Sequence, residues 1–195
     1  MGYQSGGPVF NAKQKNAMAR VATLFEDVGQ TWGAGAIGTG PGNKVYRSTD
    51  PITGLITTII QVDLTGLGGK GGNADDVIGL PGGDPAYFYR NVVADNGIIF
   101  KYEISCTELP AAASGAATVD IDFCWNASAT LEYDQACGTS EVDVGGLAAG
   151  ATTMIDAPSL TANDYFYLTE GDTAATNGVY NAGQFIITLY GYPVR

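Results

Sequence analysis

The chain is expected to be all-β, a sandwich or barrel of about eight to ten short strands, on three observations. Apolar residues recur with period two in several short windows, as strands with one inward face require. Signals rich in Gly, Pro, Asn and Asp separate these windows, with no alternating long helices to suggest βαβ units. The 28 Gly and 11 Tyr among 195 residues favour turns and strands, and charged residues are only 15% of the chain, below the usual quarter or so.

One helix is expected, over residues 11–28. Asn11 caps it with Gln14 three residues on, Gly29 ends it, and Met18, Val21, Leu24, Phe25 and Val28 form one apolar stripe. Lys13, Lys15 and Arg20 fall mostly off that stripe. Packing on its own domain and docking on a partner remain equally open. Residues 29–43 are too rich in glycine for a regular element and form a linker or extended arm. The chain therefore divides into a helix and arm, 1–43, and a β domain, 44–195.

Within 57–64, Thr58, Ile60, Val62 and Leu64 share the inward face. Residues 75–80 and 86–90 are short strands around the Pro81-Gly82-Gly83-Asp84-Pro85 turn. The turn Asp95-Asn96-Gly97 opens a long strand, with Ile98, Phe100, Tyr102, Ile104 and Cys106 on one face. In 118–125, Val119, Ile121, Phe123 and Trp125 point inward, and Thr118, Asp120, Asp122 and Cys124 outward. Weaker strands follow at 130–133, 152–155 and 165–169, and 184–190 closes the chain with Phe185, Ile187 and Leu189 inward. Opposite orientations disfavour a disulfide between Cys106 and Cys124, leaving Cys106 as a small buried hydrophobe.

Charge is unevenly placed. Residues 102–194 hold twelve acids and no Lys or Arg, whereas the first 25 residues hold Lys13, Lys15 and Arg20 and no acid. A net charge of −11 weighs against nucleic acid, whose phosphates need basic contacts, and against anionic membranes. No apolar run approaches the roughly 18–20 residues of a membrane span. The N-terminus has no apolar signal core, and Gly6 stands where myristoylation needs Ser or Thr.

The chemistry-bearing patterns are weak. With no histidine and no C-x-x-C, zinc and His-dependent nucleophiles are not expected. Gly33–Gly38 and Gly66–Gly71 match G-x-G-x-x-G, yet neither has the strand before and helix after that a dinucleotide site needs, so both are loops. Asp120 and Asp122 have glycosidase-like spacing, but any i, i+2 strand pair does, so a solvated face is expected. Asp75-Asp76 could ligate calcium but lacks the regular ligand spacing. Tyr87-Phe88-Tyr89, Trp125 and Tyr165-Phe166-Tyr167 could form a sugar platform, although alternate strand aromatics usually serve the core. Asn126-Ala127-Ser128 matches a glycosylation acceptor by chance. No catalytic residue, metal or cofactor is expected.

The ordered segments TTIIQVDLTGL (57–67), DDVIGLPGGDPAYFYR (75–90), NGIIFKYEISCTELPA (96–111), VDIDF (119–123), DYFYLTEG (164–171) and GQFIITLYGYPV (183–194) resemble a group of structural proteins of tailed bacteriophages infecting aquatic bacteria. The resemblance implies a non-enzymatic virion component, a capsid decoration (cement) protein with a jelly-roll-like antiparallel β-sandwich. It further implies a trimer that clamps the major capsid protein at the capsid surface, assembled in the host cytoplasm without signal peptide or disulfides. Lys13, Lys15, Arg20, Phe25 and Trp32 are the expected capsid-docking residues. A carbohydrate-binding sandwich and another virion subunit, such as a neck or tail protein, are the alternatives.

Overall fold

A computed structural model describes residues 26–27, 32–71, 75–116, 120–138, 141–142, 149–156, 160–171 and 176–194. Its strands are β1 (Glu26–Asp27), β2 (Lys44–Thr49), β3 (Ile56–Asp63), β4 (Gly68–Gly71), β5 (Tyr89–Arg90), β6 (Ile98–Ala116), β7 (Ile121–Asn126), β8 (Glu141–Val142), β9 (Thr152–Asp156), β10 (Tyr165–Glu170) and β11 (Thr176–Tyr192). Among the described residues, one sheet runs β1-β2-β3-β11-β6-β9, with β4 also on β11, and a smaller one runs β5-β10-β7-β8. The pairings are antiparallel, and the two sheets make a β-sandwich.

The alternation expected of β3 and β11 is observed. Thr58, Ile60 and Val62 are buried, as are Phe185, Ile187 and Leu189. From the smaller sheet, Phe123, Trp125, Phe166 and Leu168 complete the core. The Phe123 ring sits 5.0 Å from Phe166 and 5.3 Å from Tyr102, so aromatic packing ties the sheets together. Cys106 is a buried free thiol.

Before Tyr102, β6 departs from expectation. Lys101 pairs with Tyr190 but Ile99 pairs with Gly191, with a register shift between. The extra residue, Phe100, is a bulge that reverses the alternation. Ile99 therefore packs in the core, and Ile98 and Phe100 are exposed.

The smaller sheet differs most from expectation. Asp122 and Cys124, expected to face water, are buried at 2% and 0% exposure. Their side of β7 and β10 is covered by the segment after β7, which packs Cys137 and Leu131 over Val77, Ala86, Cys124 and Tyr167. Tyr167 donates its hydroxyl hydrogen bond to the Ser128 carbonyl at 2.6 Å, and the Val77 amide donates to Gln135 at 2.9 Å. A disulfide joins Cys124 to Cys137, with Cα atoms 6.4 Å apart. The disulfide-free expectation thus fails, because covering the strand's outer side brings the two thiols together.

Residues 130–133 hold one isolated bridge, Pro85 to Glu132, and otherwise irregular backbone where a strand is expected. Asp95-Asn96-Gly97 belongs to a short helix, α1 (Val93–Asn96), with Gly97 at φ 68° ending it. The second glycine run is no loop, since Gly68–Gly71 pairs with β11. A side chain at Gly69 would overlap the buried Glu170 carboxylate, so packing accounts for that glycine.

The expected helix over 11–28 lies outside the described residues except at Glu26–Asp27, which pair as a strand with Tyr46 and Arg47. Residues 32–43, assigned to the arm, lie against the sandwich. The Gly33 amide donates to Tyr87 and the Gly35 amide to Pro85, both at 2.9 Å, and Ala36 is in the core. This part of the glycine-rich stretch is body rather than free tether.

Candidate interaction surface

The outer face of the larger sheet is built by register. Three rows cross β2, β3, β11, β6 and β9: Lys44-Gln61-Ile186-Ser105-Thr152, Tyr46-Ile59-Thr188-Glu103-Met154 and Ser48-Thr57-Tyr190-Lys101-Asp156. Side-chain contacts confirm the shared face. Tyr190 donates to Glu103 at 2.9 Å, Lys101 lies over the Tyr190 ring at 5.1 Å, and the Ser105 and Thr152 hydroxyls are 2.7 Å apart.

Its charge is unlike that of the chain. Within these three rows Lys44 and Lys101 balance Glu103 and Asp156, so the five-stranded patch has no net charge on a protein of net charge −11, with Asp27 of β1 opposite Tyr46 at its edge. Lys101 and Glu103 also pair internally at 2.8 Å. The hydrogen bond from Lys101 holds the Glu103 carboxyl below the usual glutamate range, and burial pushes the Tyr190 phenol up. Five strands span about 19 Å between outer strand axes.

At one end the face becomes apolar. Phe100 and Tyr192 stack at 5.0 Å, with Ile98 paired to Tyr192 and Val194 two residues beyond it. Ile98 is 64% exposed, Val194 60% and Ile52, in the β2–β3 turn, 92%. That turn reaches the chain's closing segment, because a Cβ at Gly54 would sit 3.7 Å from Pro193.

A buried polar network holds this end rigid. Asn96 accepts from Thr58 at 2.9 Å and from the Tyr89 hydroxyl at 2.7 Å, and donates to Asn91 at 3.2 Å. Arg47 reaches the Tyr89 hydroxyl at 3.4 Å and Asp95 at 3.6 Å. Burial raises the Tyr89 phenol, so it stays a hydrogen-bond donor. A side chain at Gly97 or Gly191 would overlap backbone carbonyls of Tyr192 or Asn96. Helix α1 thus lies directly on β11, and the start of β6 is fixed beside its end.

Other residues singled out by sequence fall elsewhere. Lys13, Lys15, Arg20 and Phe25 lie outside the described residues, and Trp32 packs partly buried against the core. Of the seven candidate platform aromatics, Phe88, Tyr89, Trp125, Phe166 and Tyr167 are buried. Tyr87 and Tyr165 are half-buried in edge contact at 4.9 Å, with Arg90 over the Tyr165 ring. Asp76 and Asp122 are buried, and among the described residues no group of three or more His, Cys, Asp or Glu is arranged to hold a metal ion. The neutral face was missed because no single strand displays it; it emerges only when five strands are placed in register.

Fold and surface together define a two-sheet antiparallel β-sandwich, sealed on the outer side of one sheet and, among the described residues, open on the other. No family model, no curated protein and no solved structure matches the chain.

Proposed function

We propose that the chain is a non-enzymatic capsid decoration protein. It rests the outer face of its larger sheet on the major capsid protein and turns its smaller sheet outward. The observation that carries this is the neutral, five-stranded face on a chain of net charge −11. An acidic body keeps closely spaced copies from associating at random, and only a face without net charge can be buried against a neighbour at low desolvation cost. The resemblance to phage structural proteins supports the same role, and so does the basic character of Lys13, Lys15 and Arg20. A trimer on local threefold positions is the expected assembly.

The test is co-sedimentation of purified protein with capsids lacking it. The full chain should bind saturably, and a chain without residues 1–25 more weakly. The cut is made at 25 rather than at the arm's end, because Ala36 is in the core. Failure of the full chain to bind would remove the decoration role, and saturable glycan-array binding would favour the carbohydrate-binding alternative.

A further inference from the structure

The larger sheet ends on β9, whose one neighbouring strand among the described residues is β6. Its five residues pair with β6 in unbroken register, from Ser105–Thr152 to Lys101–Asp156. Next along, the Cys106 amide donates to the Ala151 carbonyl at 3.1 Å. In an antiparallel ladder such hydrogen-bonded pairs alternate with non-bonded ones. Thr153 and Ile155 therefore exchange bonds with β6, while the amides and carbonyls of Thr152, Met154 and Asp156 turn to the sheet's edge. The side chains of these three residues are exposed, that of Met154 with 56% of its residue surface open. Edges of this kind recruit strands, and proteins blunt them with short strands, bulges, Pro or Lys. Among the described residues the other outer strands, β1, β5 and β8, have two residues each. β9 is longer, has no bulge, and contains neither Pro nor a basic residue.

We propose that β9 pairs antiparallel with β9 of a second copy, about a two-fold axis through Met154, joining the two larger sheets into one. The strand is complementary to itself in this register. Met154 meets Met154, Thr152 meets Asp156 and Thr153 meets Ile155, so every edge-facing amide meets an edge-facing carbonyl. Charge agrees with the pairing. Two chains of net charge −11 repel, yet here no acid opposes an acid, because each Asp156 carboxylate meets a Thr152 hydroxyl that can donate to it. The axis stands perpendicular to the sheet, so both open faces lie on the same side and form one wider surface. A closed two-fold contact also leaves no edge free for further chains. The inference does not rest on the capsid role, and it sets a two-fold pair of the isolated chain against the threefold assembly that the resemblance implies.

The experiment is sedimentation velocity of the full chain over a range of concentrations, with substitutions on β9. The wild type should reach twice the chain mass. Thr152→Asp sets an acid against Asp156 and should weaken association about fivefold, whereas Thr152→Lys sets a base there and should strengthen it about fivefold. Opposite shifts from one position are what the register requires, and a simple loss of folding cannot produce them. Met154→Cys should form a disulfide between copies as dissolved oxygen oxidises the two thiols, because Cα atoms of a hydrogen-bonded antiparallel pair stand about 5.5 Å apart, within disulfide reach. Cys106 is buried and Cys124 is bonded to Cys137, so the new thiol is the one available. A monomer at every concentration, or a mass of three chains, would overturn the proposal. So would Thr152 variants that shift in the same direction, or Met154→Cys that does not cross-link.

Discussion

The two sheets differ in what lies behind them. The larger sheet has one face in the core and one open, and its strands β3 and β11 alternate accordingly. The smaller sheet is buried on both faces: along β10, Phe166, Tyr167, Leu168, Thr169 and Glu170 are all enclosed. A strand with one covered face has room on the other for a partner, whereas a strand covered twice is scaffold. Polarity alone does not separate them, since Asp122 and Glu170 are acids inside the sealed sheet and Ile59 and Ile186 are apolar residues on the open face.

The sharpest break of this contrast is Phe123→Ala. Removing a fully buried ring at the junction of both sheets should cost about 3–5 kcal/mol, whereas Thr188→Ala on the open face should stay within about 0.5 kcal/mol. Urea denaturation of both variants measures the difference, and similar losses would mean the open face is as tightly packed as the core. Next is the cover of the smaller sheet. Cys137→Ser, or reduction of the bond to Cys124, should lower stability by about 3 kcal/mol for a loop of this size. An unfolding midpoint that ignores reductant would show that Tyr167 and Val77 hold the cover without it.

Asn96→Ala should come third, at about 2 kcal/mol, because the Thr58 and Tyr89 hydroxyls lose a buried acceptor. Its amide spectrum should change mainly around residues 96–100 and 190–194. The smallest effect is electrostatic. The Glu103 carboxyl is held below its ordinary value of 4.5 in the folded chain, so its contribution is present above that pH and fades as pH falls through the lower folded value. Because the pair with Lys101 lies at the surface, half-buried, the contribution is screened to within about 1 kcal/mol. Glu103→Gln should abolish that small acid-side slope in a stability profile between pH 3 and 7, roughly the carboxylate range, and an unchanged slope would show the pair with Lys101 contributes nothing.

Strands of the open sheet were legible because one-sided burial writes period two into sequence: Thr58, Ile60 and Val62 sit where alternation puts them. The same rule misplaced Asp122 and Cys124, since alternation cannot reveal that residues 127–137 return to cover the second face. It also misplaced Ile98 and Phe100, because a bulge is set by pairing with β11 and leaves no local mark. Gly68–Gly71 read as loop since its packing reason, the Glu170 carboxylate, stands a hundred residues away in the chain. The neutral face depends on register across five strands, information that no single segment carries.

The proposed decoration role sets the open face against the particle and turns the sealed sheet outward. Hydroxyl-radical footprinting, comparing isolated protein with protein on intact particles, tests it directly. Tyr46, Met154 and Tyr190 should lose reactivity on the particle, while Tyr165 of the smaller sheet and Tyr87 and Leu131, which pack on its outer side, keep theirs. Loss at the second group with the first unchanged would contradict the account.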